Sequence, residues 1–454
     1  MKWTLPLPLL ALALAFLSSH SAARAQSSEA LLNKLVEKGV LTAEEAKALR
    51  AEADQGFAKA HAAKTGMPDW VEAFRINGDF RGRYEGITAD SPDYVERHRL
   101  RYRARLGFTA VMRDNFEAGL RLASGDFDAY PGNGVDPISS NQSFQNNASK
   151  KGIFIDLAYG RWTPLRTDGW LLALTAGKME NPLACPDTVF DPDYTPEGAA
   201  IQLGRDLGAD HTLKLNAGAF VLDEIGASTR DPYLLGAQTR LESRWTGRLT
   251  SSLGVAYLAI GQAGELVNSA VPNVNRGNTR SATGALVNDY HPVLLDAAVT
   301  WKLDAVPLYR GACPLKVGGD YLHNPGAASS TDAEAWSVGF TLGKAGKKGA
   351  WEVGYTYKWL GADAWWEELV DSDFGAYYAA APLNGGGGAG YYAGTNVKGH
   401  LLRLAYSPSD ALTLAARVMF TRLIREDAGA LTAPLPANVD SAATRLQLDA
   451  TLRF

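Results

Sequence analysis

The stretch RHRLRYRARLGF, residues 97–108, sets Arg97, Arg99, Arg101, Arg103 and Arg105 at alternate positions, with His98, Leu100, Tyr102, Ala104 and Leu106 between them. In a helix a period of two would scatter the guanidiniums around the axis. In a strand it gathers them on one face and leaves an apolar file on the other. At ~3.3 Å per residue, Arg97 to Arg105 reaches ~26 Å, most of the depth of a bilayer. Toward lipid, each arginine near the midplane would cost roughly 2–4 kcal/mol, so the file must face water. Leu100, Tyr102, Leu106 and Phe108 then make the apolar side.

The same period runs from residue 74 to the end. Phe74, Ile76, Phe80 and Tyr84 alternate with Arg75, Asn77, Asp79, Arg81, Arg83 and Glu85. WEVGYTYKW sets Trp351, Val353, Tyr355, Tyr357 and Trp359 against Glu352 and Lys358. TRLQLDATLRF sets Leu446, Leu448, Leu452 and Phe454 against Arg445, Gln447, Asp449 and Arg453. The pattern predicts strands beginning near 74, 97, 115, 152, 169, 198, 211, 233, 249, 292, 314, 334, 350, 396, 411 and 441. Short turns alternate with longer links, the longest at 124–150, 180–197, 261–291 and 361–395. Strands of ~10 residues with one apolar face suit a tilted membrane strand, and closure leaves no unpaired edge in lipid. The expectation is an all-β fold: a transmembrane antiparallel β-barrel of sixteen strands over residues 74–454. A soluble sandwich or propeller is the alternative. Trp162, Trp170, Trp245, Trp301, Trp351 and Trp359 fall near strand ends, where girdle aromatics belong.

The chain opens as an exported one. Lys2, an apolar run over 5–17 and Ala23-Arg24-Ala25 read as a signal peptide over 1–25. No later apolar run approaches the ~18 residues of a spanning helix. Residues 26–56 read as helix, turn, helix: Leu31, Leu32, Leu35 and Val36 keep helical spacing, Gly39 suits a helix end, and Thr42 with Glu45 forms a capping box. Residues 57–73 read as a linker. The balance of 45 basic against 49 acidic residues argues against a nucleic-acid binder. Cys185 and Cys313 are too few for a disulfide scaffold.

Several stretches resemble the bacterial outer-membrane putative porin family, distantly similar to the phosphate-selective porins O and P. They are ALLNKLVEKGVLTAEEAKALRAE near the start, LTAGKMENP with VFDPDYTPEGAA, PLKVGGDYLHNP, KKGAWEVGYTYKWL, DSDFG, GTNVKGH and the terminal LDATLRF. The resemblance implies a sixteen-stranded, trimeric barrel with one loop folded inward. It also implies that Phe454 serves as the signal read by the outer-membrane insertion machinery.

The candidate site residues follow from the strand faces. Arg97, Arg99, Arg101, Arg103 and Arg105, with Arg81 and Arg83 on the neighbouring strand, form a ladder down one lumenal wall. Arginine's planar, permanently charged fork suits phosphate, sulfate and carboxylate. Arginines in a lumen also brace the wall against acids such as Asp79, Glu85, Asp156, Glu242, Asp296, Asp320, Glu352 and Asp449, so both roles stay open. The loop ENPLACPDTVFDPDYTPEG carries Asp187, Asp191, Asp193 and Glu197; folded inward, it narrows the pore and faces the basic wall. A calcium site at its DPD and a plain surface loop are the competing readings. The acidic, aromatic stretch 363–378 lines the mouth, contacts sugar-like solutes through Trp365 and Trp366, or packs over the rim. No triad, zinc spacing or nucleophile elbow appears, so no catalytic residue, metal or cofactor is assigned. The expected function is a passive diffusion channel for small hydrophilic solutes with a preference for anions. Expected partners are the lipid bilayer, lipopolysaccharide, the insertion machinery and two further copies of the chain. A plugged structural or adhesive barrel is the rival.

Overall fold

A computed structural model describes residues 68–91, 94–126, 138–266, 275–385, 388–426, 431–433 and 439–454. The signal peptide, the helix-turn-helix segment and the linker up to residue 67 lie outside the described residues. Ala73–Phe454 forms one compact unit. The first strand begins at Val71, three residues before the predicted start at 74.

The strands are β1 (Val71–Ala89), β2 (Arg97–Met112), β3 (Phe116–Gly125), β4 (Gln142–Ser143), β5 (Gly152–Thr167), β6 (Trp170–Lys178), β7 (Glu197–Leu207), β8 (His211–Val221), β9 (Tyr233–Arg244) and β10 (Leu249–Gly261). They continue as β11 (Val293–Leu303), β12 (Cys313–His323), β13 (Glu334–Gly343), β14 (Trp351–Leu360), β15 (Gly375–Tyr378), β16 (Gly390–Ala393), β17 (Val397–Tyr406), β18 (Leu412–Leu423) and β19 (Ala443–Arg453). Sixteen of these make the barrel. Each pairs with the next along the chain, and β19 closes on β1 from Asp79 opposite Arg453 to Ala89 opposite Ala443. The two-residue β4 pairs with β2, and β15 with β16 forms a separate hairpin within the link after β14. Closure gives every strand two partners, the condition for backbone in lipid. At the seam the backbone of Phe454 exchanges both hydrogen bonds with Gly78, at 3.0 and 3.1 Å.

Short links gather at one end and long ones at the other. At the turn end the chain reverses in a few residues; Asp114 and Asn115, between β2 and β3, both take positive φ (59° and 62°), which Asp and Asn tolerate better than most side chains. At the loop end lie 126–151, 179–196, 262–292, 361–396 and 424–442.

The barrel is inverted relative to a soluble protein. Leu100, Leu253 and Tyr257 are 52%, 52% and 51% exposed on the outer face, whereas Arg83, Glu85 and Gln447 are at most 4% exposed inside. The sequence keeps this alternation even where a strand departs from it. Opposite Arg121 and Leu122 of β3, β5 carries a bulge at Asp156. One extra residue there lets Ile153 and Ile155 share the outer face with Ala158, Gly160 and Trp162, while Asp156 turns to Arg121. Trp170, Trp245, Trp301 and Trp351 stand at the turn end, and Trp336 stacks on Trp359 at the loop end, 6.4 Å between ring centroids.

The apolar core lies inside the barrel's loop end. Val189, Phe190, Trp365, Trp366, Leu369, Val370 and Phe374, from two loops, are buried with Leu234, Leu258, Leu294 and Leu322 of the wall. The stretch 363–378 packs inward against the wall, burying Trp365, Trp366 and Phe374, and Trp366 with Leu369 also borders a cavity that opens toward the loop end.

Candidate functional site

The wall built by β19, β1 and β2 carries the predicted arginines on its inner face, where alternation puts them. Arg101 and Arg103 are buried, Arg99 and Arg105 half-buried, and Arg97 is exposed at the loop-end rim. Most are ion-paired. Arg99 bonds Glu85, which also accepts from Arg445 Nη2 at 2.5 Å and Gln447 Nε2 at 3.2 Å. Arg83 grips Asp449 with two bonds, at 2.7 and 2.8 Å. Arg105 donates to Asp79 at 2.6 Å, and Arg103 lies 3.2 Å from the same carboxylate. The bracing partners on the other walls behave alike: Asp296 pairs with Arg240 at 2.6 Å and Glu242 with Lys214 at 2.7 Å.

Two loops lie against this wall. In 179–196, Asp193 accepts from Arg103 Nη1 at 2.8 Å and Arg105 Nη1 at 3.3 Å, so the predicted acid-to-arginine facing is present. Asp187 meets the buried Lys358 at 2.7 Å, and Thr188 donates to Asp320 at 2.6 Å. Asp191 turns to the second loop: its backbone N–H donates to Leu369 at 2.7 Å and its carboxylate accepts from the Ser372 N–H at 2.9 Å. Glu197 stands apart, as the first residue of β7 paired to Lys178 at 3.0 Å.

The second loop, 361–396, supplies residues that the sequence reading did not single out as a site. Asp373 is shared by Arg445 at 2.5 Å, Arg83 at 3.3 Å and Arg417 at 3.4 Å. Asp371 takes Lys358 at 3.2 Å. Burial pushes both Asp187 and Asp373 upward, but the cations outweigh it. Lys358 holds Asp187 below the usual carboxylate range, and Arg445, Arg83 and Arg417 hold Asp373 well below it. Phe190 stacks on Tyr194 and meets Trp365 edge-on, closing the contact between the loops. The signal for this loop was present in DSDFG, acids two apart beside an aromatic, but a loop has no period from which to read direction.

Among the described residues Arg81, Arg101, Arg103 and Arg240 each keep a buried Nε without an acceptor, but Arg103 and Arg240 are ion-paired through their other nitrogens. Arg101 makes no hydrogen bond among the described residues; its Nη1 lies 3.9 Å from Glu85. Arg81 donates to Asn141 at 2.6 Å, while its buried Nε has no acceptor.

Space remains on both sides of the loops. A cavity of about 900 Å³ faces the turn end, bounded by Cys185, Arg240, Asp296, Lys316 and Asp320. Another of about 690 Å³ faces the loop end, bounded by Asp126, Asp156, Lys178, Tyr194 and Trp366. Loop 179–196 borders both. Among the described residues no group of His, Cys, Asp and Glu could hold a metal ion.

A family model described as putative porin matches residues 93–281. No curated protein matches the chain. Among solved structures, OprB of Pseudomonas putida at high pH aligns with a TM-score of 0.52 and 10% identity, over 88% of this chain and 97% of that one. The outer membrane channel DcaP of Acinetobacter baumannii aligns with a TM-score of 0.42 and 14% identity, over 84% and 97%. OmpF of Salmonella typhi, in complex with daunomycin, gives 0.46 and 9%, over 84% and 97%. The likeness to OprB is one of fold.

Proposed function

We propose that this chain is an outer-membrane porin: a passive, water-filled channel for small hydrophilic solutes, narrowed by two inward loops and preferring anions. The observation that carries the reading is the interior. Cavities of about 900 and 690 Å³, each bordered by charged side chains, lie toward the two ends of a closed barrel whose outer face is apolar. The family match over 93–281 and the fold shared with OprB support it.

The arginine file divides into two roles. Arg99, Arg103 and Arg105 are committed to Glu85, Asp79 and Asp193, and brace the wall and the constriction. Arg101, with spare donors and no strong partner, and Arg81 carry the anion preference. Both sit beside the narrowed path. Export through a cleaved signal over 1–25, insertion through Phe454 and assembly as a homotrimer belong to the same proposal.

One observation favours the rival, a plugged barrel of structural or adhesive role. The loops bond both to the wall and to each other, through Asp187, Asp191, Asp193, Asp371 and Asp373. Conductance in a planar bilayer separates the two readings: discrete channel steps support the porin, and their absence supports the plug.

A further inference from the structure

The outer face of β14, β17 and β18 ends at the loop side in an unusual way. Register sets Trp359 beside Lys398, and Lys398 directly opposite Arg422. All three alternate with inward residues and point outward. Like charges directly opposite on one face of a sheet destabilise it. Lys398 has no carboxylate within ion-pair reach among the described residues; its Nζ rests over the Trp359 ring, 4.8 Å from the centroid. Arg422 has only half-exposed partners, Asp440 at 3.3 Å and Glu426 at 3.9 Å.

The next row down the same face is aromatic. Tyr357 stands opposite His400, and His400 opposite Phe420. The His400 ring meets Tyr357 edge-on at 5.0 Å and shares a hydrogen bond with Tyr355 at 2.9 Å. Leu402, Leu404 and Leu414 continue below as exposed apolar surface. A groove of about 340 Å³ runs past Tyr357, Lys398, His400, Phe420 and Arg422, with Asp90 also in its lining. Two cations thus cap an aromatic and apolar trough at the height where a barrel passes from acyl chains to headgroups.

We infer that this groove binds the phosphate-bearing headgroup of a lipid in the surrounding leaflet. The phosphate lies between Lys398 and Arg422, relieving their mutual repulsion. The acyl chains descend over Phe420, Leu402 and Leu404. A free anion would gain the two cations but nothing from the trough, so the lipid is the better occupant. The inference rests on the membrane placement in the proposed function, but not on conduction.

The test uses the full-length protein purified in detergent and incubated with diphosphoryl lipid A, its dephosphorylated counterpart, or inorganic phosphate, with bound lipid read by native mass spectrometry. The wild type should retain diphosphoryl lipid A and lose the dephosphorylated form. K398A/R422A should weaken retention about 30-fold, and K398A alone about fivefold. The conservative K398R/R422K pair should restore it. Equal retention by K398A/R422A and wild type overturns the inference. Displacement of the lipid by millimolar inorganic phosphate also overturns it, since the site would then be one for free anions. Conductance of K398A/R422A should match wild type. A silent wild type would defeat the channel reading while leaving the lipid readout intact.

Discussion

At the scale of single residues, the inward direction of Arg97, Arg99, Arg101, Arg103 and Arg105 was legible because alternation leaves no other face. Their partners were only half legible. Asp79 and Glu85 lie on the adjacent strand and were named as offsets, but Asp193 arrives from a loop whose depth no local pattern encodes, as Asp373 does against Arg83, Arg417 and Arg445. The partnering divides two arginines that look equivalent in sequence. Arg103 holds Asp193 with a side chain 8% exposed, so Arg103→Ala leaves that carboxylate with only its longer 3.3 Å contact to Arg105. That should cost roughly 2–3 kcal/mol, read as a lowered urea midpoint of the purified barrel. Arg101→Ala removes a guanidinium with no hydrogen bond, and should keep stability within about 1 kcal/mol of wild type. It should instead shift the reversal potential in a salt gradient toward lower anion preference. An unchanged reversal potential would return Arg101 to the bracing role.

At the scale of elements, the sixteen barrel strands begin within three residues of their predicted starts, because each apolar file must meet lipid along its length. The bulge at Asp156 and the descent of 361–396 were not legible. A bulge shifts the period by one residue, and a loop buries its aromatics only where the fold leaves room. These loops give the molecule a pH response with a definite sign. Asp187 and Asp373 have depressed pKa values, so their contribution is complete above the ordinary carboxylate value and is lost as pH falls through their lowered values. Channel steps should stay constant from about pH 8 to 5 and enlarge or turn noisy only below about pH 4. A transition centred between about pH 5 and 6 that Asp187→Asn with Asp373→Asn abolishes would contradict the clamp. Cys185 offers a second reading of the same loop. It borders the 900 Å³ cavity, and burial pushes its thiol up to about 12. A small thiol reagent should therefore label Cys185 slowly at neutral pH and faster as pH rises, while Cys313, fully buried, stays unlabelled. Mass spectrometry of the labelled protein checks both sites, and labelling should lower conductance.

At the scale of the whole molecule, the chain solves one problem twice. Its outer surface is apolar and the inner face of its wall is polar, and the strands supply both through alternation, corrected by a bulge at Asp156. Closure at the β1–β19 seam, completed by the Phe454 backbone on Gly78, removes the edge that either solvent would penalise. The interior is what turns a barrel into a channel or a plug. The most direct test is single-channel recording of the purified protein in a planar bilayer under a potassium chloride gradient. An anion-preferring porin gives discrete conductance steps with a reversal potential on the anion side, reduced in Arg101→Ala. A bilayer that stays silent at concentrations where the barrel is inserted would contradict it.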